Sequence, residues 1–320
     1  MKQQDAVKPK LREQNRSKTR SSLFIRHFKR DWQLHLLILI PVIYGAIFWY
    51  WPMYGVQIAF RNYRPTKGIW GSDWVGLKHF IRFFEYPYFW MMIKNTLTIT
   101  LYSLATFPCA IVFALMLNEL GNLRVKKGIQ MITYMPHFLS EVVVCSLVIL
   151  FLDRTAGPIN NLIEALGGER TSFMSEAGAF PAIYVWSGVW QNLGWNSILY
   201  ISALAAVPVE HHEAARIDGA NRFQIIWHIN LPSIMPTIII TFLLRMGGLM
   251  NVGFSKIYLL QNSLNLDTST VISTYVYEIG LLGGQFSYST AIGLFNNVIN
   301  IAILLLANKI TSLVSETSLF

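Results

Sequence analysis

The chain has 320 residues, of which 53% are hydrophobic and 13% are charged; the charged share is about half that of a soluble domain. Apolar stretches of about 20 residues recur without a break, which excludes an ordinary soluble protein and predicts membrane-spanning helices rather than a barrel of alternating strands. The net charge of +9 would suit nucleic acid, but the basic residues are divided among the loops as membrane topology requires, so we expect no nucleic-acid partner.

Residues 1–32 form a basic segment ahead of the first apolar stretch. They hold ten Lys or Arg residues and few apolar residues before Leu23, so we expect the first part to be disordered. Two interpretations of Phe24–Trp32 stay open. Its basic residues contact lipid phosphates at the inner membrane surface, which makes membrane lipid a partner, or they serve only to fix the topology.

The apolar stretches predict six transmembrane helices and therefore an all-α membrane protein. The first stretch is longer than the apolar part of a signal peptide and no small-residue cleavage site follows it, so we expect it to stay as a helix. Pro136 interrupts the third. The helices belong to one membrane domain over residues 33–310, followed by a tail of residues 311–320. The predicted spans are Leu36–Met53, Thr96–Leu117, Ile129–Leu152, Ala182–Val207, Ile234–Val252 and Thr290–Ala307.

Three predicted loops lie on the outer side. Residues 54–95 are rich in Trp, Tyr and Phe, which indicates an interfacial helix around Leu77–Tyr86, a docking surface for an extracellular partner, or both. Residues 153–181 carry two glycine-containing turn signals with a short helical stretch between them. Residues 253–289 are expected to form a polar loop.

The distribution of basic residues predicts which side of the membrane each loop faces. Sixteen Lys and Arg residues fall on the side that holds both termini and the loop 208–233, nine fall on the other side, and Arg245 lies within a span. Basic loops stay in the cytoplasm, so we expect both termini and the loop 208–233 to be cytoplasmic. Cys109 and Cys145 fall within spans, which favours two small core residues over a disulfide.

The loop 208–233 has the composition of a short cytoplasmic helix. Pro208 suits the first turn of a helix, where a backbone N–H is not needed. The acidic residues that follow it are stabilised by the positive end of the helix dipole. Ala214 and Ala215 are strong helix formers that let another protein approach the backbone. Gly219 is suited to end the helix in the left-handed conformation. These features alone also fit an ordinary connector.

The order of residues in this loop is more specific. Glu213-Ala214-Ala215, then Asp218-Gly219-Ala220, then Ile229, Leu231 and Pro232 resembles the EAA loop of bacterial ABC importer permeases. In that family the loop is a coupling helix on which a separate ATP-hydrolysing subunit docks. The resemblance implies five coupling positions: Glu213, Ala214, Ala215, Asp218 and Gly219. The sequence contains no Gly-x-x-x-x-Gly-Lys-Ser/Thr segment, so we expect no ATP binding through a P-loop.

The resemblance extends over most of residues 33–310. Asn95-Thr96-Leu97, Asn251-Val252-Gly253-Phe254, Ser273-Thr274-Tyr275-Val276-Tyr277 and Gly293-Leu294-Phe295 look like the permease subgroup that imports complex oligosaccharides. The resemblance implies a type I ABC importer permease bundle in the bacterial plasma (inner) membrane, without a cofactor. The implied partners are a second, similar permease subunit that forms a heterodimer, two ATPase subunits and an extracellular or periplasmic solute-binding protein.

Amide and aromatic side chains within the spans are candidates for a sugar pathway. Sugars offer hydroxyls for hydrogen bonds and flat C–H faces for aromatic rings, and polar groups at membrane depth usually face the interior of a bundle. The alternative is that they only hydrogen-bond one helix to another. The candidates are Trp186, Trp190, Asn192, Asn196, Asn296, Asn300 and Tyr134.

Two charged residues, Glu141 and Arg245, fall within predicted spans. We consider that they pair with each other, or that Glu141 carries protons in an ion-coupled secondary transporter. A third class of function, a membrane enzyme acting on lipid-linked sugars, has His211-His212-Glu213 as its only candidate cluster. Adjacent His residues point apart on a helix and make a poor metal site, so we assign neither catalytic residues nor metal ligands.

Overall fold

The computed structural model describes residues 30–314, and the predictions for residues 1–29 and 315–320 lie outside this part of the chain. The chain divides into two compact units, Met1–Gln57 and Ile58–Phe320. In the first unit, helix α1 (Trp32–Gly45) continues through a π-helical turn (Ala46–Tyr50) into α2 (Trp51–Met53). The first predicted span falls within this helical run, whose side chains are nearly all exposed.

The second unit begins with a small sheet that the sequence did not predict. Strands β1 (Arg61–Arg64) and β2 (Gly68–Trp74) pair antiparallel, so the expectation of an all-α chain is wrong in this segment. The residues of β1, Arg-Asn-Tyr-Arg, include no aliphatic side chain and so give no apolar and polar alternation in the sequence. Gly68 supplies the positive φ of 67° that the turn requires. The predicted interfacial helix is present as α3 (Lys78–Phe84), with Phe83 fully buried.

The second predicted span lies within a longer helical run. Helix α4 (Phe89–Ala105) leads into α5 (Pro108–Asn118), and the run begins seven residues before the predicted Thr96. Asn95, near the start of this run, is buried and donates to the carbonyls of Asp267 at 2.9 Å and Thr270 at 3.0 Å. These hydrogen bonds fix the first two turns of the helix against residues 267–270.

The third predicted span is wrong as a continuous helix. Helix α6 (Leu123–Tyr134), a 3-10 turn (Met135–Phe138) and α7 (Glu141–Phe151) follow each other, and the two long parts are bent by 105°. Leu139 and Ser140, which follow the 3-10 turn that contains Pro136, take the extended conformation with ψ of 140° and 152° and break the helix. Ser140 then starts α7, because its hydroxyl accepts the N–H of Val143.

The outer loop 153–181 contains the expected short helix, α8 (Pro158–Ala165). Two side chains of this loop, buried Asn160 and half-buried Arg170, donate hydrogen bonds to its backbone carbonyls and stabilise its fold. The Asp153 carboxylate accepts N–H groups of Ala156 and Thr155, which lowers its pKa. The fourth predicted span follows as α9 (Phe180–Ala205), and its 26 residues match the predicted boundaries within two positions.

The fifth predicted span is wrong at both ends. Helix α10 (Val209–Ile217) is followed by α11 (Arg222–Ile225), a π-helical turn (Ile226–Asn230) and α12 (Leu231–Met246). The last three form one helical run, Arg222–Met246, so Pro232 lies within the run and does not begin it. The capping box of Asn221 and Gln224 fixes the start, and Gly247-Gly248 follow the end.

The prediction of a polar loop over residues 253–289 is wrong, because much of this segment is helical and buried. It folds into α13 (Phe254–Leu260), α14 (Leu266–Ser269), α15 (Ile272–Tyr277) and a π-helical turn. Ile257, Leu260 and Ile272 belong to the core clusters of the second unit. The chain then enters α16 (Phe286–Val314), which contains the sixth predicted span.

Among residues 30–314, four helical runs are long and apolar enough to cross a membrane, or five if the bent pair α6–α7 counts as one. Helix α9 has sufficient length but is not among them, because Gln, Asn, Ser and Trp residues interrupt its apolar sequence. The four runs are Trp32–Phe60, Phe89–Asn118, Arg222–Met246 and Phe286–Leu313. The protein is therefore a mostly helical membrane protein, and a count of six spans stays a prediction.

Candidate functional site

A cavity of about 710 Å³ lies within the second unit and is lined along one side by α9. Residues of α4, α5, α7, α12 and α13 contribute the rest of its lining. Its wall mixes apolar side chains with amides, hydroxyls, a tryptophan and three charged groups. This is the composition of a site for a polar ligand that also has apolar faces.

Two of the predicted pathway residues, Asn192 and Asn196, line this cavity, and Trp195 lies between them in the sequence. Asn192 accepts a hydrogen bond from His137 at 2.9 Å and donates to the Gly188 carbonyl at 3.1 Å. His137 also stacks on Trp195, with the ring centroids 4.2 Å apart. The break between α6 and α7 thus supports the polar face of α9.

Three other candidates lie outside the cavity wall. Trp186 donates its indole N–H to the hydroxyl of Tyr102 at 2.7 Å, and Trp190 is exposed. Tyr134 lies where α6 crosses α9 at Gly194. A Cβ at Gly194 would approach a ring carbon of Tyr134 to 2.7 Å and would meet the Thr133 backbone, so this close crossing requires glycine.

The two candidates on α16 hold a backbone segment in place. Asn296 and Asn300 donate to the side-chain oxygen of Asn251 at 2.9 and 3.1 Å. Asn300 is buried and also accepts the N–H of Met250 at 2.8 Å. This geometry fits the alternative of hydrogen bonding between elements, and a role for either residue in cargo passage stays a prediction.

Three charged residues line the cavity: Glu141, Arg245 and Lys256. Glu141 is the first residue of α7 and not part of a continuous span. Arg245 donates to the Ser103 carbonyl at 2.8 Å. The ion pairs in residues 30–314 join Arg30 to Asp31 and Arg170 to Glu164, so the hypothesis of a pair between Glu141 and Arg245 is wrong for this structure.

Lys256 is the residue of the cavity that the sequence reasoning missed. It was assigned to an exposed outer loop, yet its side chain is buried on α13. The signal was present in the sequence, because Lys256 is the only charged residue in Phe254–Leu260, whose other residues, apart from Ser255, are apolar or aromatic. A lone cation in such a setting marks a group with a specific environment.

The loop 208–233 folds as its composition predicted. Helix α10 begins after Pro208 and ends at Gly219, whose φ is 80°. The N–H groups of Gly219 and Ala220 return to carbonyls of α10, which is the hydrogen bonding of a glycine-terminated helix. Glu213, Ala214 and Asp218 are exposed, and Ala215 is half-buried.

Two features join α10 to the helix that follows. A shallow surface pocket of about 290 Å³ is lined by Ala215, Asp218 and Gly219 from the loop and by Gln224 and His228 from the next helix. In addition, His212 donates from Nε2 to the side-chain oxygen of Asn230 at 2.8 Å, and Asn230 is buried. The loop therefore has an exposed face, and its other face is fixed to the run Arg222–Met246.

A bundle of apolar helices with a partly open cavity of mixed polar and apolar lining, and with a short exposed helix at one loop, is typical of one class of protein, the membrane-embedded transport components. The family model described as "Binding-protein-dependent transport system inner membrane component" matches residues 106–312, well over half of the chain. The chain belongs to this family. It is a multi-pass inner-membrane permease of an ABC importer and not an enzyme, so the two alternative functions are set aside.

Curated relatives match nearly the whole chain. Protein LplB of Bacillus subtilis (strain 168) is 43% identical over 293 residues, covering 91% of this chain and 92% of the relative. The polygalacturonan/rhamnogalacturonan transport system permease protein YteP of the same organism is 41% identical over 302 residues, covering 94% of each.

A solved structure supports the same assignment. It is titled a bacterial ABC transporter involved in the import of the acidic polysaccharide alginate, and its matching chain is 38% identical. The match has a TM-score of 0.84 and covers 91% of this chain and 99% of that one. A second structure of an alginate ABC transporter, in complex with an alginate pentasaccharide-bound periplasmic protein, matches with the same TM-score and covers 92% of this chain.

Proposed function

We propose that this permease imports oligosaccharides, passing them from a solute-binding protein to the cytoplasm. The observation that carries the proposal is the match at a TM-score of 0.84 to a chain from an importer of a polysaccharide. The cavity supports it, because Asn192 and Asn196 offer hydrogen bonds to hydroxyls and Trp195 offers an apolar ring. The remaining candidates, Trp186, Trp190, Tyr134, Asn296 and Asn300, stay proposals for other stages of the passage.

We further propose the assembly in which the chain works. A second, similar permease subunit completes the pore, because one cavity of about 710 Å³ has the size of a site for a single small ligand. The assembly includes two ATPase subunits, one of which docks on the exposed face of α10, where Glu213, Ala214, Ala215, Asp218 and Gly219 serve as the coupling positions. The solute-binding protein, extracellular or periplasmic, delivers the cargo on the opposite side.

The topology belongs to the same proposal. Counting α9 and the bent pair α6–α7 with the four apolar runs gives six spans of a type I importer permease in a bacterial plasma membrane. The basic residues then place both termini and the loop 208–233 in the cytoplasm. Residues 1–32 form the cytoplasmic N-terminal segment, 33–310 the permease domain and 311–320 the tail.

The test is reconstitution of the complete transporter in liposomes with its ATPase and permease partners. We expect ATP-dependent uptake of an oligosaccharide and ATP hydrolysis that rises when the loaded binding protein is added. Glu213→Lys reverses a charge on the exposed face of α10 and should abolish uptake without loss of membrane insertion. Uptake driven by an ion gradient in the absence of the ATPase would contradict the proposal.

A further inference from the structure

The ammonium group of Lys256 is buried without a hydrogen-bond partner in the described part of the chain. The residue is 5% exposed, and Nζ is among the buried atoms that no donor or acceptor of residues 30–314 reaches. Its neighbours are the ring of Tyr184, 5.2 Å from Nζ, and Gly188 of α9. A buried charge is costly unless it is paired and hydrogen-bonded, so this ammonium requires a compensating group.

Lys256 is one of the residues that line the cavity, although its Nζ atom is itself buried in the wall. Its four-carbon stem is flexible, so a change of rotamer brings the ammonium to the cavity. A Cβ built on Gly188 lies 3.4 Å from Nζ, so a larger side chain at this position would press against the ammonium. Among the residues that the structure describes, Lys256 thus lines the cavity and has an ammonium group without a hydrogen-bond partner.

The other charges of the cavity form no ion pair with Lys256 in residues 30–314. Glu141 is the single carboxylate among the lining residues, forms no ion pair with Lys256 within residues 30–314, and lies at the first position of α7, where the helix dipole already favours it. Arg245 adds a second cation and donates to one carbonyl, that of Ser103, although a guanidinium has five N–H donors. The cavity therefore has an excess of positive charge and unused donors.

We propose that Lys256 and Arg245 form an anion subsite that receives the carboxylate of a uronic acid unit in the cargo. This inference rests on the proposed function and specifies its substrate class, acidic oligosaccharides in preference to neutral ones. The carboxylate accepts hydrogen bonds from the ammonium and the guanidinium, and the amides of Asn192 and Asn196 accommodate the hydroxyls of the same sugar. Charge-assisted hydrogen bonds of this kind are about twice as strong as neutral ones.

The experiment compares two ligands that differ only in charge. An oligogalacturonate trisaccharide and its carboxyl-reduced form, in which each carboxylate is a CH2OH group, are bound at equilibrium to the purified complete transporter without binding protein. We expect the wild-type transporter to bind the acidic trisaccharide at least about tenfold more tightly, the factor that one charged hydrogen bond supplies. Raising the salt concentration should reduce the preference.

Single substitutions show which residues produce the preference for the acidic trisaccharide. Lys256→Met keeps the length of the side chain and should remove most of the preference, whereas Lys256→Arg should retain it. Gly188→Ala keeps the charge but crowds Nζ, so it should weaken binding of the acidic ligand. The matched control is Gly293→Ala, because a Cβ at Gly293 meets nothing within 4 Å. The control should leave both affinities unchanged.

Stability separates this role from a structural one. Removing a buried charge without a partner often leaves a protein equally or more stable, so Lys256→Met should melt in detergent at the wild-type temperature or above. A large drop in the melting temperature of Lys256→Met, with the ligand preference unchanged in Gly188→Ala, would make Lys256 a structural residue and overturn the inference.

Different experimental results would contradict the anion subsite and the proposed function of the protein as an oligosaccharide importer. Equal wild-type affinities for the two trisaccharides, or an unchanged preference in Lys256→Met, would overturn the anion subsite. ATP-dependent uptake of a neutral oligosaccharide together with equal affinities would remove the subsite and uphold the importer. Absence of ATP-dependent uptake for every oligosaccharide tested would remove both.

Discussion

At the scale of single residues, buried asparagines connect distant parts of the second unit. Asn95, Asn160, Asn265 and Asn300 are buried, and each bonds backbone groups with its side-chain amide. Spacing in the sequence correctly places Asn296 and Asn300 on one face of α16. It does not identify Asn251 or the N–H of Met250 as their partners, because those contacts depend on how the chain folds back after α12.

Asn300→Ala should destabilise the protein by about 1–3 kcal/mol, the cost of a buried N–H without an acceptor. The N–H of Met250 loses the side-chain oxygen that accepts it at 2.8 Å. Thermal unfolding in detergent measures the loss. Asn297→Ala is the matched control, since Asn297 is adjacent and exposed. Equal melting temperatures for the two variants would refute the assigned role of Asn300.

At the scale of the element, apolar runs locate helices but do not set their ends. The predicted starts of the second and fifth spans are late, because the helix of the second begins at Phe89, before the polar Lys94 and Asn95, and the Asn221–Gln224 capping box starts the run of the fifth. The third span fails because Leu139 and Ser140 take the extended conformation and break the helix within an apolar run. Helix α10 was predicted well because its start and end signals are local.

Gly219→Val should reduce ATP-driven uptake about tenfold. A branched residue at a φ of 80° costs about 1–2 kcal/mol, which changes a conformational equilibrium by a factor of roughly 5–30 and loosens the end of α10. Uptake by the reconstituted transporter is the measurement. Gly167→Val is the control, because Gly167 ends α8 at a φ of 83°, also with nothing near its Cβ. If both variants lose uptake equally, backbone strain and not coupling explains the result.

His212→Ala should uncouple ATP hydrolysis from uptake. The hydrogen bond of His212 to buried Asn230 fixes α10 to the helical run Arg222–Met246, so motion of the loop reaches the span through it. Losing it leaves the Asn230 oxygen unpaired, at a cost of about 1–3 kcal/mol. The ratio of sugar transported to ATP hydrolysed is measured, with His211→Ala as the exposed neighbouring control. A normal ratio in His212→Ala would show that this bond transmits nothing.

At the scale of the whole molecule, the composition predicts the class of fold but not which residues are buried in the interior. Continuous apolar runs predict a helical membrane bundle whatever its contacts are. The burial of residues 254–277 was not predictable, since Lys256, Asn265 and Thr274 look polar in the sequence and are buried by packing between elements. The cavity depends on the same packing, which explains why Asn192 and Asn196 were identified and Lys256 was not.

The division of basic residues between the two sides leads to a prediction for the entire chain. Cys109 and Cys145 are free, so replacing both by alanine gives a background without thiols for single exposed cysteines. Ala214→Cys in the loop 208–233 should react with a membrane-impermeant maleimide only in inside-out vesicles, because basic loops face the cytoplasm. Glu169→Cys, at an exposed position between α8 and α9, should react only in intact cells. Labelling of both positions from one side would contradict an odd number of membrane crossings between them, and the reverse pattern would place α10 beyond the reach of a cytoplasmic ATPase.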